Sequence, residues 1–187
     1  VTLLHEILEH NEKFVTDKEY EKFETSKYPE KRLVIVSCMD TRLVELLPRA
    51  MNIGNGDVKV VKVAGAVISH PFGSIMRSIL VAIYALNADE VCVVGHHDCG
   101  MATLKADDIL DTMRDRGISD LAIEAVEYFG VDLEKWLHGF DCVEESVSES
   151  VKMIRNHPLL PSKLPVHGLV IDPKTGKLDV VVDGYNK

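Results

Sequence analysis

Residues 33–42 read Leu-Val-Ile-Val-Ser-Cys-Met-Asp-Thr-Arg, and residues 90–100 read Glu-Val-Cys-Val-Val-Gly-His-His-Asp-Cys-Gly. Each segment opens on a short apolar run and closes on residues that carry chemistry. A short apolar run without alternation fits a strand buried on both faces, as in a parallel sheet. Val58–Val63 is a further strand, introduced by the turn residues Gly54-Asn55-Gly56-Asp57. Helical patterns lie between these strands. From Phe72 to Leu86, Ile75, Ile79, Ala82 and Leu86 share one side, and Met76, Leu80 and Ile83 widen the stripe. Pro71 is placed to open that helix.

Further along, residues 101–139 are more polar and read as short helices. Asp141-Cys142-Val143-Glu144 has the form of a capping box with Asp141 as cap. Val143, Val147, Val151 and Ile154 then mark a helix that stops before His157-Pro158. Val166–Ile171 and Leu178–Val182 flank Asp172-Pro173-Lys174-Thr175-Gly176 and read as a hairpin. Strands alternating with helices predict an α/β fold with a mostly parallel central sheet and an antiparallel edge from the last hairpin. Residues 1–187 read as a single domain. Within it, 1–32 form an N-terminal helical arm: Leu4, Ile7 and Leu8 share a face between Leu3 and Phe14, and a charged stretch follows to Arg32. A helix outside the main pattern is suited to pack on a partner subunit.

The 187 residues are 46% hydrophobic and 27% charged, which is the composition of a globular domain. A net charge of −9 argues against nucleic acid, because a binder needs a basic face to neutralise phosphates. No apolar stretch is long enough to predict a membrane span, and no secretory signal is visible. The four cysteines are not spaced as Cys-x-x-Cys, and a core of this size does not depend on disulfides. A reduced, cytoplasmic protein with metal-binding thiols is the expectation.

Cys38, Asp40 and Arg42 follow the first strand; His96 and Cys99 follow the third. Ligands of open α/β sheets bind beyond the carboxyl ends of the strands. Two thiolates and one imidazole make a three-donor zinc set with a fourth position free, the mark of a catalytic rather than a structural site. His96 and Cys99, three apart, can face the same way, and Cys38 closes the set from the neighbouring strand. Asp40 lies near enough to compete for the metal or to accept a hydrogen bond from its water. Arg42 can hold that carboxylate by a bidentate pair. His97 rivals His96, but one residue of offset turns it away. Cys38 is not read as a phosphatase nucleophile, because Val44 stands where Cys-x5-Arg needs arginine. Asp98 is read as a turn or cap residue, Cys92 and Cys142 as packing residues, and His70 as exposed. Arg77 is expected to pair with a carboxylate, in its own chain or across a subunit interface.

Cys-x-Asp-x-Arg followed by His-x-x-Cys 58 positions after the first cysteine, Cys38 to His96, resembles the β-class carbonic anhydrases, in their compact prokaryotic branch. The resemblance runs from Leu33 onward, through Ala64-Gly65-Ala66, to the final hairpin. It implies four parallel strands plus an antiparallel fifth, one Zn2+ per chain on Cys38, His96 and Cys99, and an Asp40–Arg42 dyad. It also implies a homodimer or higher homo-oligomer, with residues 1–32 as the dimerisation arm. The implied activity is that of a lyase: reversible hydration of CO2 to bicarbonate and a proton by zinc-bound hydroxide. The backbone N–H of Gly65 or Gly100 is then expected to meet a product oxygen. The chain departs from many relatives at Val63, where they carry Asn, and at Ile35, where the bicarbonate-inhibited subclass carries tryptophan. Two other functions fit the same ligands: hydrolysis of carbon disulfide or carbonyl sulfide, and a noncatalytic zinc or bicarbonate sensor.

Overall fold

The computed structural model describes residues 1–186. Helix α1 (Leu3–Thr16) and a 3-10 turn at Glu19–Phe23 precede β1 (Leu33–Cys38), α2 (Leu43–Ala50), β2 (Val58–Val63) and α3 (Ser74–Ala85). Then come β3 (Glu90–His96), α4 (Ala106–Asp115), α5 (Asp120–Tyr128), α6 (Leu133–Leu137), α7 (Val143–Arg155), β4 (Val166–Ile171) and β5 (Leu178–Val182). The strands form one sheet in the order β2-β1-β3-β4-β5. All neighbours are parallel except β4 and β5. The predicted architecture, with its antiparallel edge, is therefore the observed one.

Each central strand is buried on both faces, and alternate residues enter different cores. Val34, Val36, Val91 and Val93 pack with Met76 and Ile79 of α3 and with Val147, Val151 and Ile154 of α7. Ile35, Cys92 and Val94 pack with Leu43 and Leu47 of α2. Burying a side chain of this size contributes about 1.5–3 kcal/mol, whereas an exposed ion pair contributes about 0–1 kcal/mol. Burial of the strands thus fixes the register. Leu110, Ile123 and Leu133 of α4–α6 form a separate small cluster.

Close contact between α7 and the sheet depends on small residues. A Cβ on Gly95 would stand 2.7 Å from Val147 Cγ2 and 2.8 Å from Val143 Cγ2.

Several local expectations need correction. Pro71 does not open α3. Pro71 and Phe72 lie in a preceding turn, and Gly73, in extended backbone, is the N-cap. Phe72 packs instead on the buried His157 ring, centroid to centroid 5.2 Å. The cap of α7 is Cys142 rather than Asp141, because Cys142 is the residue whose backbone is extended there. Its thiol donates to Glu144 Oε2 at 3.2 Å. Arg77 is exposed on α3 and makes no ion pair among the described residues.

In α1, no residue is buried, and Leu3, Leu4, Ile7 and Leu8 are all exposed. The stretch after it is fastened to the β2 end of the sheet: Asn55 Nδ2 donates to Phe23 O, and Glu30 N–H donates to Gly56 O.

Two measurements test this packing. Gly95→Ala should destabilise the fold by roughly 1–3 kcal/mol through overpacking, seen as a lower urea midpoint; an unchanged midpoint would show that α7 shifts freely. Burial pushes the Cys92 thiol from 9.0 up to about 12. The folded protein therefore keeps a proton that the unfolded chain loses above pH 9. That stability is present below pH 9 and lost as pH rises toward 12, by up to ~1.4 kcal/mol per pH unit. Cys92→Val should make the fall in melting temperature above pH 9 shallower than in the wild type; parallel curves would contradict the assignment.

Candidate metal centre

Cys38 ends β1 and His96 ends β3, while Cys99 lies in the turn that follows. The chain runs from β1 to β2 on one side and returns to β3 on the other, so the boundary between β1 and β3 is a topological switch point. Direct parallel pairing sets Ser37 beside Val94 and brings both strand ends to one place. The donor atoms of Cys38, His96 and Cys99 all lie within 4.8 Å of one another, and all three residues are buried. His97, by contrast, is exposed, and its backbone N–H donates to Ile171 O at 3.1 Å.

The chemistry of this trio fits zinc. Cys38 Sγ and Cys99 Sγ are 3.8 Å apart. Two sulfurs each about 2.3 Å from one tetrahedral ion stand about 3.8 Å apart, whereas a disulfide would bring them to about 2.05 Å. His96 Nδ1 is 2.8 Å from the carbonyl oxygen of His97. A carbonyl only accepts, so Nδ1 carries the hydrogen and Nε2 keeps its lone pair. That Nε2 is buried with no hydrogen-bond partner, an arrangement that costs of order 1–3 kcal/mol. A cation bound beside the two sulfurs removes that cost.

Electrostatics point the same way. The hydrogen bond from Cys99 holds the Cys38 thiol below its ordinary value; burial opposes this, and the nearby backbone of Asp40 and Gly65 assists it. Cys99 moves up, because it shares its proton with Cys38 and is buried. The pair gives up one proton readily, as a metal-binding pair must. Gly65 lies beside Cys38 and lines the same cleft. Gly65 has φ +64°, and a Cβ there would stand 2.9 Å from the Phe140 ring, so glycine meets both demands.

Asp40 and Arg42 form the expected bidentate pair, Nε to Oδ1 at 3.0 Å and Nη2 to Oδ2 at 2.8 Å. The Asp40 carboxyl is held far below its ordinary range, first by the Arg42 side chain and then by the Arg42 backbone N–H. Its Oδ2 comes to 3.7 Å from His96 Nε2, so it borders the donor trio. Sequence reasoning missed a further carboxylate. Arg42 Nη1 donates to Asp98 Oδ2 and Nη2 donates to the Asp98 carbonyl, both at 2.7 Å. Asp98 is the turn residue expected, at φ +53°, but no spacing signal links it to a residue 56 positions away.

A cleft of about 350 Å³ opens on this group, lined by Cys38, Asp40 and Cys99 with Met39, Ala64 and Met101 among its apolar walls. His70 lies outside it; its Nδ1 accepts from Phe72 N–H.

The sequence profile of the carbonic anhydrase family matches residues 33–178. The Bacillus subtilis protein named "Putative carbonic anhydrase YtiB" is 61% identical over 186 residues, covering 100% of both chains. The crystal structure of β-carbonic anhydrase isoform I from Trichomonas vaginalis superposes with a TM-score of 0.90 at 35% identity, over 99% of this chain and 100% of that one. A carbon disulfide hydrolase of Acidithiobacillus thiooxidans is 28% identical over 159 residues, 79% of this chain and 76% of its own. This chain belongs to the β-class carbonic anhydrase family. Zinc is the metal of that class, and the donor trio is compatible with it.

The thiols should differ sharply in reactivity. In metal-free protein at pH 6, iodoacetamide should label the Cys38–Cys99 pair before Cys92, since that pair shares a proton and gives up the other readily whereas burial holds the Cys92 proton. Stoichiometric zinc should block that labelling, and Cys92 should react only on unfolding. Peptide mass spectrometry reads all three; equal labelling of Cys38 and Cys92 would contradict the geometry.

Proposed function

We propose that Cys38, His96 and Cys99 hold one zinc ion per chain, and that the protein hydrates CO2 reversibly to bicarbonate and a proton. The observation that carries this reading is the bare, buried His96 Nε2 beside two sulfurs at metal-ligand spacing, with a carboxylate held alongside. Three protein donors leave one position of a tetrahedral ion to a non-protein ligand. Zinc supplies the Lewis acidity that makes water a nucleophile near neutral pH.

The residues of the chain do the rest. Asp40, kept ionised by Arg42, can only accept hydrogen bonds. It takes one from the attacking oxygen and so directs a lone pair at the carbon of CO2. Arg42, by gripping both carboxylate oxygens, keeps Asp40 from swinging onto the metal. Met39, Ala64 and Met101 give uncharged CO2 an apolar approach, and the open cleft lets bicarbonate and the proton leave to solvent. Two thiolates donate charge to the metal, so activity rises toward alkaline pH, above the range of an all-histidine site.

The exposed Leu3, Leu4, Ile7 and Leu8 face supports a second proposal, that α1 packs on another copy of the chain in a homodimer or higher assembly. Four free cysteines, with two assigned to zinc, support a reducing, cytoplasmic setting. No described helix is long and apolar enough to cross a membrane.

Stopped-flow CO2 hydration from about pH 7 to 9, with zinc assayed in the same sample, tests the function. One zinc per chain with hydration rising with pH supports it. One zinc per chain without hydration contradicts it and turns attention to carbon disulfide. Asp40→Ala should keep the zinc and lose activity by at least about 100-fold; full activity in that variant would refute the role given to Asp40.

A further inference from the structure

Arg42 is held on two sides, and only one of them belongs to the Asp40 pair. Nε and one hydrogen of Nη2 face Asp40. Nη1 and the other hydrogen of Nη2 face Asp98, whose carboxylate and main-chain carbonyl both lie at 2.7 Å. A planar guanidinium bound along two edges has no freedom left to rotate. Bound along one edge, it can turn with Asp40 or let it go.

The position of Asp98 gives this contact its meaning. It precedes Cys99 directly and stands in the turn that carries Cys99 to the metal. Its left-handed backbone at φ +53° is uncommon for a residue other than glycine, asparagine or aspartate. That conformation turns its carbonyl and its carboxylate toward the same guanidinium. Arg42 thus ties the segment after β1, with Cys38 and Asp40, to the segment after β3, with Cys99.

We propose that Asp98 is a positioning residue: by gripping the far edge of Arg42 it keeps Arg42 on Asp40, and so keeps Asp40 from closing the metal's fourth position. This rests on the ligand and Asp40 roles proposed above. The Asp98 side chain is 75% exposed and that of Arg42 40%. An exposed ion pair of this kind adds little stability, so its contribution is to geometry. Asp98 acts through Arg42 and touches no reacting atom.

The test uses full-length protein loaded with cobalt in place of zinc, because cobalt reports its coordination by visible absorption. Asp98→Gly removes the carboxylate yet suits a positive φ, and Asp98→Asn keeps a neutral acceptor in the same backbone. Thiocyanate is titrated as a probe of the free fourth position, and CO2 hydration is measured on the zinc forms. In Asp98→Gly, metal content and melting temperature should stay close to wild type. Thiocyanate affinity and kcat should each fall roughly 10-fold with little change in KM. Asp98→Asn should lie between. In an Asp40→Asn background, Asp98→Gly should lower thiocyanate affinity no further, since the two residues act in one chain.

Wild-type thiocyanate affinity in Asp98→Gly overturns the proposal. So does an equal loss with and without Asp40, or loss of the metal itself, which would make Asp98 a support of the site as a whole. The proposed function fails separately, on wild-type protein that holds zinc and hydrates no CO2. The thiocyanate titration decides the role of Asp98 in that case too.

Discussion

Parallel pairing of β1 with β3 is the constraint on which this protein depends. Both strands lie inside the sheet with both faces covered, so their register is set by apolar burial on two sides at once. A slip of one residue would send Val34 and Val36 toward α2, and Ile35 toward α3 and α7. The register that avoids this places Ser37 opposite Val94, and so brings the ends of the two strands, Cys38 and His96, to the same edge of the sheet. The metal centre is thus a by-product of core packing. Two of the donors end strands, and Cys99 joins them from the turn after β3.

The polar parts of the site are built outward from that frame in layers. The His97 carbonyl fixes the His96 tautomer, and the N–H groups of Gly65 and Asp40 favour the Cys38 thiolate. Arg42 holds the Asp40 carboxylate, and Asp98 lies against Arg42. Each layer is more exposed than the one inside it. The donor trio is buried, while the placement of Asp40 rests on groups that solvent reaches.

Elements far from the sheet follow weaker rules. Helices α4–α6 share a small core of Leu110, Ile123 and Leu133 and make few demands on the strands. Helix α1 buries nothing of its own. Its stripe of leucines and isoleucine matches the amphipathic pattern read from the sequence and lies exposed on this chain.

The apolar runs of residues 33–38 and 90–96 determined the central strands by themselves, because a doubly buried strand must be largely apolar, while 58–63, with Lys59 and Lys62, forms a half-exposed edge strand. The clustering of Cys38, His96 and Cys99 and the pairing of Asp40 with Arg42 were readable for a related reason: few residue types can hold a metal or grip a carboxylate in two places. Tertiary structure alone decided the strand order, the N-cap of α7, the start of α3 at Ser74 and the exposure of Arg77. Each of these turns on backbone geometry or on neighbours distant in the chain. The same holds for the His97 carbonyl on His96 and for Asp98 on Arg42. Every residue except proline has an N–H and every residue has a carbonyl, and aspartate is common in turns. Such groups acquire a role only when the fold brings a partner from 50 or more positions away within hydrogen-bonding reach, or turns a carbonyl onto a neighbouring ring.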